Sequence, residues 1–118
     1  MHQKHQRADE AEVAGAEFSL AALYVQTQRP SEAEPLLVDA ARVWELRLKD
    51  AATPEEKTGY GWHLALTYFA AARIAAESDR LNEAQSRCRR AIDLAEQWPD
   101  QQYMSAVRSG CDSLLRAH

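Results

Sequence analysis

A chain of 118 residues with a formal net charge of −4, both signs spread along it, carries no electrostatic footprint for nucleic acid. Alanine, leucine, glutamate and arginine dominate, with only 4 glycines and 4 prolines, and β-branched residues are too scarce for a strand-rich protein. The composition therefore specifies an all-α fold in a single domain spanning 1–118, and no apolar run approaches the ~20 residues that a membrane span needs.

The first residues, MHQKHQR, are polar and are expected to fray over 1–7. No apolar signal core follows them. From Ala8 to about Gln28, apolar residues recur at Val13, Ala16, Leu20, Leu23 and Tyr24, the three-and-four spacing of one helix face. QTQRP ends that helix, because the residue before Pro30 is pushed out of helical geometry. Ser31 followed by Glu34 reads as a capping box, which places Pro35 in or just past the first turn of a second helix. In a helix interior the same proline would cost about 3 kcal/mol. This helix continues through Leu36, Leu37, Ala40, Val43, Trp44 and Leu48.

Thr53-Pro54 opens a third helix as N-cap and first-position proline, running to about Glu77. Gly59 and Gly61 weaken its first half. After SDRLN, a fourth helix is expected from about Asn82 to Gln97, with Ala84, Cys88, Ala91, Ile92 and Ala95 on one face. WPD ends it. A fifth helix over about 100–116 turns Tyr103, Val107, Cys111, Leu114 and Leu115 inward.

The chain repeats itself. RPSEAEPLLVDAARVWE (29–45) and RLNEAQSRCRRAIDLAE (80–96) share Arg, Glu-Ala, a later Ala and Glu in register. The preceding helices share Leu20-Ala21-x-x-Tyr24 and Leu64-Ala65-x-x-Tyr68. The second halves are offset by 51 residues and the first halves by 44, which implies seven extra residues in the third helix, around FAAARIA. Seven residues are nearly two turns, so such an insertion rotates the buried face by only about 20°.

These units resemble tetratricopeptide repeats, of the subtype found in kinesin light chains and many bacterial repeat proteins. The first unit reads Glu17-x2-Leu20-Ala21-x2-Tyr24, then Ala33-x3-Leu37 and Ala40. The second reads Tyr68-x2-Ala71-Ala72-x2-Ala75, then Ala84-x3-Cys88 and Ala91, and is more degenerate. Glu17 stands where the family usually has tryptophan, and Glu45 and Glu96 stand where it often has a closing proline. The resemblance implies a right-handed helical-hairpin solenoid: repeat one over about 14–48, an extended repeat two over about 54–97, and a capping helix over about 100–116.

It further implies a non-catalytic adaptor whose concave side binds a peptide or helix of a protein partner. By helical phase within that architecture, Phe18, Ala22 and Val25 face the groove from the first helix. Phe69, Arg73 and Ala76 or Glu77 face it from the third. The alternative for Phe18 and Phe69 is core packing under the fifth helix, which would then occupy the groove. The chaperone-binding members of the family clamp a carboxylate with lysines and asparagines. The lone asparagine here, Asn82, sits at a helix start, so no such clamp is expected.

A second possibility, of a different class, uses GYGWHLALTYF (59–69). Tyr60 and Trp62 either form a self-association surface for a homodimeric assembly element or cover Trp44 within the chain. A third is a sensor fragment of a larger regulator. The residues supply no catalytic constellation, no metal site and no cofactor motif. His2 and His5 lie in the polar tail, His63 stands alone, and Cys88 and Cys111 have neither metal nor redox spacing. Free thiols fit a cytoplasmic setting, the alanine and arginine bias suggests a bacterial source, and RCRR (87–90) reads as a solvated helix face.

Overall fold

A computed structural model describes residues 2–98 and 102–117, with side chains described over 12–98 and 104–116. The described elements are all helices: α1 (His2–Gln26), α2 (Pro30–Asp50), α3 (Pro54–Glu77), α4 (Leu81–Gln97) and α5 (Gln102–Ala117). Short connections force α1 and α2 into one antiparallel pair and α3 and α4 into another. α2 also packs on α3, while α5 packs on both α4 and α3. No described helix is long and apolar enough to cross a membrane.

The two pairs turn in the same way. Gln28 and Asp79, 51 positions apart, both adopt φ 62°. In the first turn the Arg29 N–H donates to the Tyr24 carbonyl at 2.7 Å, and the Gln28 N–H to that of Val25 at 3.1 Å. In the second, the Arg80 N–H donates to Ala75 at 2.8 Å and the Asp79 N–H to Ala76 at 3.1 Å. Each is the two-bond Schellman ending of a helix, built without the usual glycine. Arg29 and Arg80 then serve as the N-caps of α2 and α4, neither with a side-chain cap bond.

The same 51-residue step relates buried positions on all four helices: Ala14 and Ala65, Ala21 and Ala72, Ala33 and Ala84, Leu37 and Cys88, Ala40 and Ala91. One period therefore covers both halves of the repeat, and α3, at 24 residues, is no longer than α1, at 25. The seven-residue insertion expected in α3 is not there. Shifting a helical pattern by seven residues nearly restores its phase, so the Leu-Ala-x-x-Tyr match at offset 44 was a neighbouring register of the same face.

The capping box expected at Ser31 is also absent. α2 starts at Pro30, so Pro35 is its sixth residue and lies inside the helix, two residues past the first turn. Its missing N–H leaves the Ser31 carbonyl without its helical donor, at a place where Ser31 and Pro35 are both exposed and water can substitute. Glu34, the expected capping partner, is engaged elsewhere, on arginines of α4. The real capping box is at α3, where the Glu56 N–H donates to Thr53 Oγ1 at 3.2 Å and the Thr53 N–H to Glu56 Oε1 at 3.1 Å. α1 begins at His2 rather than Ala8, and α4 begins at Leu81. The expected inward placement of Tyr103 and the side chains of His2 and His5 lie outside the described residues.

The main core gathers Trp44, Leu64, Cys88, Leu94, Met104, Val107 and Cys111 from α2 to α5. A smaller cluster forms where α1, α2 and α3 meet, from Ala21, Ala33, Leu37, Ala71 and Ile74. Two glycines mark close approaches. A Cβ on Gly61 would overlap the ring of Trp98, and one on Gly110 would come within 2.5 Å of Phe69 Cζ.

Candidate functional site

α1 and α3 run parallel because each is antiparallel to α2, which holds them side by side. Between them lies a groove of about 370 Å³. Phe18, Ala22, Val25 and Gln26 form one wall, and Leu66, Phe69, Ala70, Arg73, Ile74 and Glu77 form the other. All six residues expected to face a groove, Phe18, Ala22, Val25, Phe69, Arg73 and Glu77, lie on this one concavity. Of the pair Ala76 or Glu77, it is Glu77 that lines it, while Ala76 is buried.

Phe18 and Phe69 lie toward one end of the groove, and Arg73 and Glu77 toward the other. Phe18 and Val25 are half-buried against the small cluster. Small residues, Ala22 and Ala70, leave the space between the walls. Arg73 and Glu77, both exposed, stand at the C-terminal end of α3, next to Gln26. Phe69 has two roles. It is half-buried against the rim of the main core, with its ring against Gly110 of α5. Among the described residues of α5 none lines the groove, and the helix meets Phe69 through Gly110.

Tyr60 and Trp62 are half-buried against the main core. Tyr60 stacks on Trp44 with ring centroids 6.0 Å apart, and His63 stacks on the same indole at 4.7 Å. Partial burial lowers the His63 pKa, so the imidazole is neutral at physiological pH. Cys88 and Cys111 are fully buried, and burial pushes both thiols up, which makes them poor nucleophiles. No cluster of metal-ligating side chains occurs among the described residues.

A second concavity, about 340 Å³, lies between α2 and α4 and is lined by Arg42, Arg87 and Arg90 among others. Its cations are already engaged. Arg80 and Arg87 each donate to Glu34 at 2.7 Å, and Arg87 also donates to the Ala71 carbonyl at 3.0 Å. Hydrogen bonding from Arg80 holds the Glu34 carboxyl below its usual range. Arg90 donates to Glu45 at 3.1 Å and to the Tyr68 hydroxyl at 2.9 Å, and Arg42 pairs with Asp39 at 3.0 Å. RCRR is thus more than a solvated face: two of its arginines tie α4 to α2 and α3. Spacing alone carried a signal, since Arg80 and Arg87 are seven residues apart on one helix face.

A carboxyl pair on the α1–α2 seam escaped sequence reasoning. Burial and hydrogen bonding to Asp39 push Glu17 up to about 7, and Arg42 holds Asp39 down. One oxygen of Glu17 is sealed from solvent without a hydrogen-bond donor. The signal was its position, a charged residue where the resemblance implies a large aromatic one. Comparisons with protein-family models, curated proteins and solved structures gave no match for this chain.

Proposed function

We propose that the chain is a non-catalytic, tetratricopeptide-like interaction module that holds a segment of a partner protein in the groove between α1 and α3. The observation that carries this is the convergence of Phe18, Ala22, Val25, Phe69, Arg73 and Glu77 on one open concavity. Two half-buried aromatics at one end and a charged pair at the other suit an amphipathic helix with apolar anchors, read with a fixed polarity. The 51-residue period and long helices depart from the 34 residues usual in that family. The resemblance therefore rests on the paired helices and their small-residue seams, not on repeat length.

Phe69 is a poor site for a test because its ring also seats α5. Ala22 is exposed and lines the groove without joining the core. Ala22→Arg fills the concavity and should leave helicity by circular dichroism unchanged. In affinity capture from the source cells with quantitative mass spectrometry, wild type should retain a protein that Ala22→Arg and Arg73→Glu each lose at least about tenfold, a difference worth about 1.4 kcal/mol. Identical recovery by all three would overturn the groove as a binding site.

A further inference from the structure

The groove between α1 and α3 is ordered along its length. On the 51-residue step that relates the two hairpins, Phe18 pairs with Phe69, Ala22 with Arg73 and Gln26 with Glu77, and all six line the concavity. Four residues apart on each helix face, they form three rungs. The first is aromatic, the second sets Arg73 opposite a small residue, and the third sets Glu77 opposite Gln26 at the last residues of α3 and α1. Apart from Arg73, Glu77 and Gln26, every lining side chain is hydrocarbon. Both charges are exposed, and neither makes an ion pair with a described residue. Arg73 stands N-terminal to Glu77, the weaker order for an i,i+4 pair. The arginines at α4, Arg80, Arg87 and Arg90, are by contrast all held by Glu34 or Glu45.

We propose that the partner segment seated here is an α-helix running antiparallel to α1 and α3. It places a basic residue toward Glu77, an acidic residue four positions later against Arg73, and an apolar residue four positions after that against Phe18 and Phe69. The proposal rests on the groove being the binding site. A helix fits because it satisfies its own backbone, whereas an extended segment would lay N–H and C=O groups against hydrocarbon walls that offer them no partner. α2 already fills the other side of the same two-helix trough, antiparallel to both walls. The dipoles favour that direction again. Both walls end at the Glu77 rung, so their partially negative C-termini and the Glu77 carboxylate attract the positive N-terminal end of an incoming helix. Charge complementarity then sets the order basic, acidic, apolar, and exchanging the two charges brings like against like. The concavity, about 370 Å³, receives the side chains of that helix and leaves its outer face in solvent.

Three labelled synthetic peptides, titrated with the full chain and followed by fluorescence anisotropy, test the proposal. The first is an alanine- and glutamine-based helix with Lys, Glu and Leu at i, i+4 and i+8. The second exchanges the Lys and the Glu, and the third carries the same three residues in the opposite order. At about 50 mM salt the first should bind at least about tenfold more tightly than either of the others. Arg73→Glu/Glu77→Arg, at two exposed sites, should keep native helicity and prefer the second peptide by a similar factor. Equal affinities for the first two peptides overturn the charge pattern, and tighter binding of the third overturns the direction. No binding of any peptide up to roughly 500 µM overturns the inference outright. Ala22→Arg separates these failures from failure of the groove itself. Peptides bound without preference but lost by Ala22→Arg overturn the inference and leave the groove standing. Peptides bound equally by wild type and Ala22→Arg overturn both.

Discussion

The two helical hairpins turn alike and are completed differently. Both end their first helix in a left-handed, non-glycine residue, and both bury the same ladder of small side chains on a 51-residue step. The second hairpin is closed by α5, which brings Met104, Val107 and Cys111 into a core already holding Trp44 and Leu64. Among the described residues no helix covers the first hairpin in this way, and the cluster it shares with α3 buries two large aliphatics, Leu37 and Ile74. Backbone repetition thus fixes where side chains point, while stability depends on what each position holds and what lies on top of it.

Leu37 and Cys88 occupy equivalent positions and are 2% and 0% exposed, which makes them the sharpest test of that difference. Leu37→Ala should cost about 3 kcal/mol, because the small cluster has little to collapse into the space. Cys88→Ala removes a single sulfur from the richer core and should cost about 1 kcal/mol. Urea unfolding at 25 °C measures both. Equal costs would mean that the two clusters share the load and that the contrast between hairpins is one of shape alone.

Much of this organisation was legible in the sequence. Helical periodicity, proline positions and the Arg-x-x-Glu-Ala echo at 29–33 and 80–84 gave five helices and two similar hairpins, because these signals are local. The α1–α3 groove residues followed from helical phase once the hairpins were assumed to stack. What was missed depends on tertiary partners. Ser31-x-x-Glu34 looks like a capping box until arginines 46 and 53 residues downstream claim the glutamate. A seven-residue shift is nearly invisible to helical phase, so the repeat register stayed ambiguous until the turns were placed. The aromatic run at 59–69 left two readings open, a self-association surface or a cover for Trp44, and the stacking of Tyr60 and His63 on that indole corresponds to the second.

The carboxylates at the helix seams give the next contrast. Glu34 is held low by Arg80, so its stabilisation is present above its unfolded pKa and is lost as pH falls through the lowered native value. Glu17 has the opposite sign. Its native pKa is raised to about 7 from 4.5, so the folded state holds more protons than the unfolded chain between those values. Stability from this group therefore falls as pH rises from about 4.5 to 7. Glu17→Gln keeps a donor toward Asp39 without the charge. After allowance for the partial exposure of the site, it should raise unfolding free energy by about 1–2 kcal/mol at pH 8. The gain should shrink toward zero by pH 4. A pH-independent gain would place the effect in packing and not in the shared proton.

The smallest effect concerns the turns that make the hairpins alike. Gln28 and Asp79 both sit at φ 62°, where a Cβ is crowded and glycine is free of the penalty. Aspartate tolerates this region better than glutamine, because its short side chain bonds to the local backbone. Gln28→Gly should therefore stabilise by roughly 0.5–1 kcal/mol, offset in part by the entropy glycine gains when unfolded, and Asp79→Gly should gain less. Thermal unfolding of both variants ranks them. If Asp79→Gly gained more, the turn after α3 would carry the greater strain, and the equivalence of the two hairpins would stop at their hydrogen bonds.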